Sequence, residues 1–446
     1  MKYDTPHILL VNPWIHDFAA YDFWAKPMGL LYLASILQSH GFNISYIDCL
    51  DRFHPKATQT DPYARYGRGS YIKTRIPKPA GLEDIPRNFT RYGIKKKWFR
   101  EDLLSIPKPD LVLMTSMMTY WYPGVQETIG VIKEIFPDVT IVLGGIYASL
   151  CHEHAQNYSG AHRIETGPGE EYILKLAGDY TGFPVAAKFD PAVLDTYPYP
   201  AFHLQKKTIY IPLMTSKGCP FACKYCAAHF LNPKRMVRNS ESVVEEIKYW
   251  HEKYRVEDFV FYDDALLVDA EKHAVPMFES IIKAGLKVRF HTPNAVHIRE
   301  ISSQTARLMF RAGFKTVRLG LETAAFNMRN ELDRKVTAAE FKRAVTCLKE
   351  AGFKKELIGA YLLTGLPGQE MKSIEDSIKT VRQNQVTPIL AHYSPIPHTV
   401  LWRNAVSSSR YDLESDPVFT NNAIFPCRDE RFSWQTISHL KKLAAK

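Results

Sequence analysis

Long apolar runs are missing from this 446-residue chain. Stretches such as Leu111–Met114 and Thr140–Leu143 fall far short of the ~20 residues a membrane-spanning helix needs, so no transmembrane segment is expected. Cysteine is scarce as well, with seven in the whole chain and three of those confined to positions 219–226. A secreted disulfide framework spreads an even set of cysteines through a short chain, so this distribution excludes one and fits a reducing cytoplasm. The opening Met1-Lys2-Tyr3-Asp4 leads into only a brief apolar run broken by Asn12-Pro13, and neither a signal peptide nor an anchor is expected. Low-complexity tracts are lacking too. With 46% hydrophobic and 23% charged residues, the composition is that of a globular protein with room for two or three domains.

The three clustered cysteines sit in Cys219-Pro220-Phe221-Ala222-Cys223-Lys224-Tyr225-Cys226, after the apolar run 209–214. Cysteines at this spacing can be buried passively on one helix face, but Gly218 and Pro220 flank the first of them and argue for a loop. With His229 three residues further on, they can also form a tetrahedral zinc site. A third reading is an iron–sulfur cube. Such a cube normally takes four thiolates, and three with no evident fourth leave one iron open to another ligand.

Around this stretch, strand and helix patterns alternate. His7–Asn12, Asn43–Asp48, 110–115 and 139–144 read as strands, and 28–39 and 124–136 as helices. This predicts an α/β protein whose N-terminal part is a Rossmann-like, flavodoxin-like parallel sheet, with ligands at the strands' carboxyl ends. Residues 183–207, with Pro184, Pro191, Pro198 and Pro200, read as a linker. From 208 onward, strands are expected near 209–215, 257–263, 287–292, 315–321, 356–364 and 389–394. Helices are expected near 240–254, 270–284, 300–312, 337–351 and 372–384.

Residues 52–100 interrupt the first rhythm. They carry 13 Lys and Arg against Asp61, Glu83 and Asp84, a net +10 equal to the formal charge of the entire chain. Interleaved aromatic residues, among them Tyr63, Tyr66 and Trp98, argue against disorder. The charge is expected to serve the active site or stay solvated, with Tyr66–Gly67–Arg68–Gly69 as a mobile edge, and a nucleic-acid partner is not expected.

Cys219, Cys223 and Cys226, with Tyr225 as the aromatic before the last, resemble the signature of radical S-adenosylmethionine enzymes. The resemblance implies a 4Fe-4S cluster on the three thiolates, its fourth iron chelated by the methionine moiety of S-adenosylmethionine. An electron from the cluster then cleaves the sulfonium to give a 5'-deoxyadenosyl radical. Six strand–helix units resemble that family's partial (β/α)6 TIM-type barrel. By the same likeness, Asp263 and Asp264 would contact the methionine amino group, Glu322 the ribose and methionine, and Gly365 the adenine. Tyr393 to Thr399 resembles the sixth-strand turn, with His398 where glycine is usual.

The N-terminal part resembles the cobalamin-binding domain of one large subclass, through Asn12-Pro13, the helix 27–37, Ser116-Met117-Met118 and Gly144-Gly145. The D-x-H-x-x-G string that supplies a histidine to cobalt in many such domains is absent, and Asp51-Arg52-Phe53-His54 has the wrong spacing. The resulting layout is a cobalamin-binding-like domain over 1–182, the linker, a radical domain over 208–400 and an extension over 401–446. The implied function is a cobalamin-dependent radical methyltransferase. Its expected partners are a small-molecule, lipid or peptide substrate and an electron donor such as flavodoxin or ferredoxin. The alternatives are a cobalamin-free radical rearrangement, cyclisation or carbon–carbon bond formation, and a zinc- or cluster-containing nucleic-acid-binding protein.

Overall fold

The computed structural model describes residues 5–326, 332–333, 336–428 and 432–445. Met1 to Asp4, and Lys446 at the end of the chain, lie outside them. The chain divides into two compact units, one of Met1–Ile209 with Ser415–Ala423, the other of Tyr210–Glu414 with Ile424–Lys446.

In the first unit the strands are β1 (His7–Asn12), β2 (Ile15–Asp17), β3 (Asn43–Asp48), β4 (Lys73–Arg75), β5 (Thr90–Tyr92), β6 (Leu111–Met114), β7 (Thr140–Leu143) and β8 (Arg163–Ile164). Five of them form a parallel sheet in the order β3-β1-β6-β7-β8. This is the flavodoxin-type order, which reverses between β1 and β6. The strands read as unbroken apolar runs because both faces are covered. Leu9, Val11, Val112, Met114, Ile141 and Leu143 pack on Val125, Ile129 and Ile132 of the helix Tyr122–Ile135. The alternate residues Ile8, Leu10, Leu111, Leu113 and Val142 pack on Leu30, Ala34 and Leu37 of the helix Met28–Ser39.

The basic insert adds a small antiparallel sheet in the order β2-β5-β4, with Tyr71, Leu82, Ile85, Phe89 and Tyr92 buried. Its expected mobile edge is pinned instead. The backbones of Asp22 and Gly69 exchange hydrogen bonds of 2.9 and 3.2 Å. Buried Arg52 donates from Nε to Asp22 at 2.9 Å and from its guanidinium to the Gly67 carbonyl. Residues 183–207 are irregular, as their prolines dictate, but not loose. Ala201 and Phe202 are fully buried, and the Ser35 hydroxyl donates to the Tyr199 carbonyl at 2.5 Å.

The segment Ser415–Ala423 completes this unit. Fully buried Asn421 donates to Asp17 at 2.8 Å, and Trp121 Nε1 donates to the same carboxylate at 2.6 Å. Burial pushes the Asp17 carboxyl up, and these hydrogen bonds oppose that shift. The Thr119 and Thr420 hydroxyls meet at 3.0 Å, and Tyr122 donates to Asp416 at 2.9 Å.

The second unit holds β9 (Tyr210–Leu213), β10 (Ser216–Lys217), β11 (Met236–Val237), β12 (Asp258–Phe261), β13 (Arg289–His291), β14 (Phe314–Glu322), β15 (Ile358–Thr364) and β16 (Thr387–His392). Six form one parallel sheet in the order β16-β15-β14-β13-β12-β9, each strand beside its neighbour in sequence, as in a partial barrel. Helices connect them, and two begin in full capping boxes, Ser302 with Thr305 and Thr337 with Glu340. Phe259, Phe261, Phe290 and Phe314 fill the core, the rings of Phe261 and Phe314 stacking at 5.5 Å. Among the described residues, no helix is long and apolar enough to cross a membrane.

Candidate functional site

The cysteine loop begins where β9 ends. Its base is tied by β10, which pairs antiparallel with β11. Gly218 then turns at φ +87°, where a Cβ would stand 2.6 Å from the Lys234 carbonyl oxygen, so no other residue fits the turn without a shift. Beyond it, Cys219, Cys223 and Cys226 open on one cavity of about 260 Å³, which Asp264, Asn294 and His297 also line. Cys223 is buried and Cys226 exposed. The Ala228 N–H donates to Cys226 Sγ at 3.4 Å, and His297 Nε2 lies 4.0 Å from Cys219 Sγ. A single tetrahedral ion would need side chains converging on a point. Among the described residues no three His, Cys, Asp or Glu side chains do so, and His229 is exposed on the short helix Ala228–Leu231. A four-iron cube makes no such demand, because each thiolate takes a separate corner.

The two carboxylates after β12 have different surroundings. Asp263 is buried and accepts from the Thr215 hydroxyl at 2.6 Å and the Ser216 hydroxyl at 2.7 Å. His273 Nε2 meets the same Thr215 hydroxyl at 3.0 Å. Burial pushes the Asp263 carboxyl up. It also lowers His273 to about 4, with Arg235 adding to the effect, so that imidazole is neutral at pH 7. Asp264 accepts from the Gly218 N–H at 2.9 Å and from Asn232 at 3.4 Å while facing the cavity. One carboxylate thus braces the root of the loop, and the other both braces it and borders the open space.

Glu322 closes β14 after a register shift between Gly320 and Glu322. Its backbone is left-handed at φ +60°, and the Thr323 N–H bonds the Leu321 carbonyl at 2.6 Å around it. A non-glycine residue held this way stores roughly 1–3 kcal/mol, a cost that recurs at functional sites. Tyr225 lies near it: burial raises the phenol well above its usual range, and the Glu322 charge adds to the effect. Gly320, two residues before Glu322, lines the cysteine cavity. Gly365 turns at φ +87° at the end of β15 and is braced by Gln369, whose Oε1 accepts from its N–H at 2.8 Å. His398 is left-handed at φ +66°, the physical reason glycine suits this turn, and its ring stacks on Phe230 with centroids 4.3 Å apart.

The structure therefore gathers the three cysteines and Asp264 at one cavity, and Glu322 reaches its neighbourhood through Gly320 and Tyr225. Asp263 and Gly365 are not among the residues lining that cavity. Asn294 and His297, which do line it, escaped the sequence reading. The available signal was their position just past β13, at a strand's carboxyl end.

On the first unit, Ser116, Gly144 and Gly145 meet at the carboxyl ends of β6 and β7. The Ser116 hydroxyl donates to the Gly144 carbonyl at 2.7 Å, and the Ile146 N–H to the Ser116 carbonyl at 2.8 Å. Gly145, at φ +95°, has no room for a Cβ, which would stand 2.3 Å from the Ser116 oxygen. A Cβ on Gly144 would meet nothing closer than 3.8 Å. Gly145 is exposed, and so are the apolar side chains of Met118 and Ile146, 42% and 37%. An open glycine beside exposed apolar groups at the carboxyl ends of the strands, one strand from the switch between β1 and β6, fits a large, partly apolar ligand such as a corrin.

Residues 213–381 match the Radical SAM superfamily. The anaerobic magnesium-protoporphyrin IX monomethyl ester cyclase of Rubrivivax gelatinosus is 26% identical over 336 residues, 68% of this chain and 60% of that one. The cytidylyl-2-hydroxyethylphosphonate methyltransferase of Streptomyces wedmorensis is 21% identical over 435 residues, 83% of this chain and 75% of that one. The chain thus spans about three fifths of the cyclase's length. In fold it is similar to the radical S-adenosylmethionine methyltransferase TsrM from Kitasatospora setae, solved with cobalamin and a [4Fe-4S] cluster bound. The TM-score is 0.66 at 17% identity, covering 92% of this chain and 76% of that one.

Proposed function

We propose that this chain, a radical S-adenosylmethionine protein whose second unit carries the family's domain, is a cobalamin-dependent methyltransferase acting on an unactivated centre. One observation carries the reading: a flavodoxin-order sheet with an open glycine edge and a barrel-type unit whose three cysteines share one cavity occur in the same chain. When bound, the cluster would supply the electron that cleaves S-adenosylmethionine, and the corrin would supply the methyl group. Cys219, Cys223 and Cys226 would hold the cluster, with Asp263 and Asp264 fixing the loop's base from behind. Asp264, Tyr225, Glu322 and Gly365 would bind S-adenosylmethionine. Ser116, Gly144 and Gly145 would form the edge against which the corrin lies. The substrate is a small molecule, lipid or peptide, and the electron comes from a small redox protein such as flavodoxin or ferredoxin.

A second reading is a cobalamin-free radical rearrangement, cyclisation or carbon–carbon bond formation, and the name of the cyclase relative supports the cyclisation in it. Product analysis separates the two. A methylase consumes two S-adenosylmethionine molecules per turnover, releasing S-adenosylhomocysteine from the methyl donor and 5'-deoxyadenosine from the radical source. Protein made with cobalamin present is expected to retain corrin absorbance and form both products, and Cys223→Ala to form no 5'-deoxyadenosine. Purification without corrin, no uptake of hydroxocobalamin and no S-adenosylhomocysteine would leave only the cobalamin-free reading.

A further inference from the structure

We infer that His297 tunes and positions the cluster by donating a hydrogen bond from Nε2 to the Cys219 sulfur, an inference that rests on the reading of the three cysteines as cluster ligands.

The backbone carrying this histidine is fixed from both sides. Val296 forms a bridge with Leu319 of β14. Its N–H donates to the Arg318 carbonyl at 2.8 Å, and its own carbonyl accepts from Gly320 at 3.3 Å. One residue on, the His297 carbonyl accepts from Glu300 at 3.1 Å. The ring has little freedom either. His297 is 7% exposed, and its imidazole lies against Phe221 with centroids 4.5 Å apart. Phe221 belongs to the loop between Cys219 and Cys223, so ring and loop are packed as one piece. In that position Nε2 stands 4.0 Å from Cys219 Sγ, the outer reach of an N–H···S contact, and both groups face the cysteine cavity.

The sulfurs are therefore not equivalent. Cys226 accepts from the Ala228 backbone N–H, which exchange of the Ala228 side chain leaves in place unless proline is introduced. The partner of Cys219 is a side chain, which can be exchanged. A donor to a cluster sulfur stabilises the more negative, reduced state and raises the reduction potential. Groups behind metal ligands also fix the ligands' orientation, and low local polarity strengthens such a bond. A purely space-filling histidine would do none of this, and leucine would replace it.

The test uses the full-length protein as parent, His297→Leu and His297→Gln, each reconstituted anaerobically. Iron and sulfide are counted, and the reduced cluster is then followed by electron paramagnetic resonance during a redox titration. All three are expected to take up a full cluster. At the parent's midpoint, the reduced-to-oxidised ratio in His297→Leu should fall about 2- to 12-fold, the span of one modest hydrogen bond. His297→Gln, which keeps a donor, should stay near the parent. Loss of the cluster from His297→Leu alone, with His297→Gln loaded and unshifted, also shows that the donor is needed. A fully loaded His297→Leu that reduces as readily as the parent overturns the inference, as does a shift of equal size in both variants. Loss of the cluster from both variants makes the ring a ligand in its own right and overturns the donor role. A parent that takes up no iron at all defeats the cluster reading itself and is told apart from these outcomes by the iron count.

Discussion

At the scale of single residues, the most informative feature is a backbone angle. Glu322 occupies a left-handed conformation that its side chain does not favour, at the end of a strand whose pairing slips to accommodate it. Strain of this kind persists only where the surroundings over-determine it, which is consistent with a carboxylate aimed for binding. Glu322→Ala is expected to weaken S-adenosylmethionine binding about 10- to 150-fold, the equivalent of about 1.5–3 kcal/mol for one charged hydrogen bond, with the cluster content unchanged. Equilibrium dialysis of the reconstituted protein measures it, and unchanged affinity places the carboxylate outside the site. The loop carrying the cysteines and the strand end carrying Glu322 were legible in the sequence because each belongs to a short, ordered pattern. The division of labour between Asp263 and Asp264 was not. Two adjacent acids look alike in a string of letters, and only the folded chain shows one turned toward Thr215 and Ser216 and the other toward the cavity. Asn294 and His297 had no motif to announce them.

At the scale of elements, the parallel strands and their covering helices were readable because buried strands are apolar throughout and the helices carry the 3.6-residue period. β1, β3 and the helices Met28–Ser39 and Ser240–Tyr254 fall where the pattern puts them. The sheet β2-β5-β4 was not readable, since strands of three residues are too short to show a period of two. Gly144 and Gly145 form a pair in sequence but separate in structure. Gly145→Ala is expected to destabilise the first unit by more than about 1 kcal/mol, because the new methyl meets backbone at an angle alanine disfavours. Gly144→Ala should leave thermal stability within about 0.5 kcal/mol, as substitutions away from special features do, yet lower the corrin absorbance of purified protein. Equal effects of the two on unfolding temperature contradict this assignment.

For the whole molecule, the decisive feature is the segment Ser415–Ala423, which belongs to the unit begun at the other end of the chain. Nothing periodic marks it, so the sequence offered only an extension after residue 400. It is held to the first unit by Asp416, Thr420 and fully buried Asn421, the last of which donates to Asp17. Asn421→Ala is expected to lower stability by about 1–3 kcal/mol, the cost of depriving a buried acceptor of a donor. The loss should be seen in urea unfolding and as faster amide exchange around Asp17 and Trp121. Unchanged exchange there disproves the link. The consequence reaches to the order of synthesis. A ribosome releases β1 and β2 early, but the Asn421 amide that donates to Asp17 emerges 404 residues later. Until then Asp17 has its local donors, Trp121 and the backbone of Phe18 and Ala19, but lacks the Asn421 amide, and folding of the first unit cannot finish on a vectorial schedule. An expression truncation at residue 209, the obvious way to isolate the sheet unit, would remove the piece that completes it.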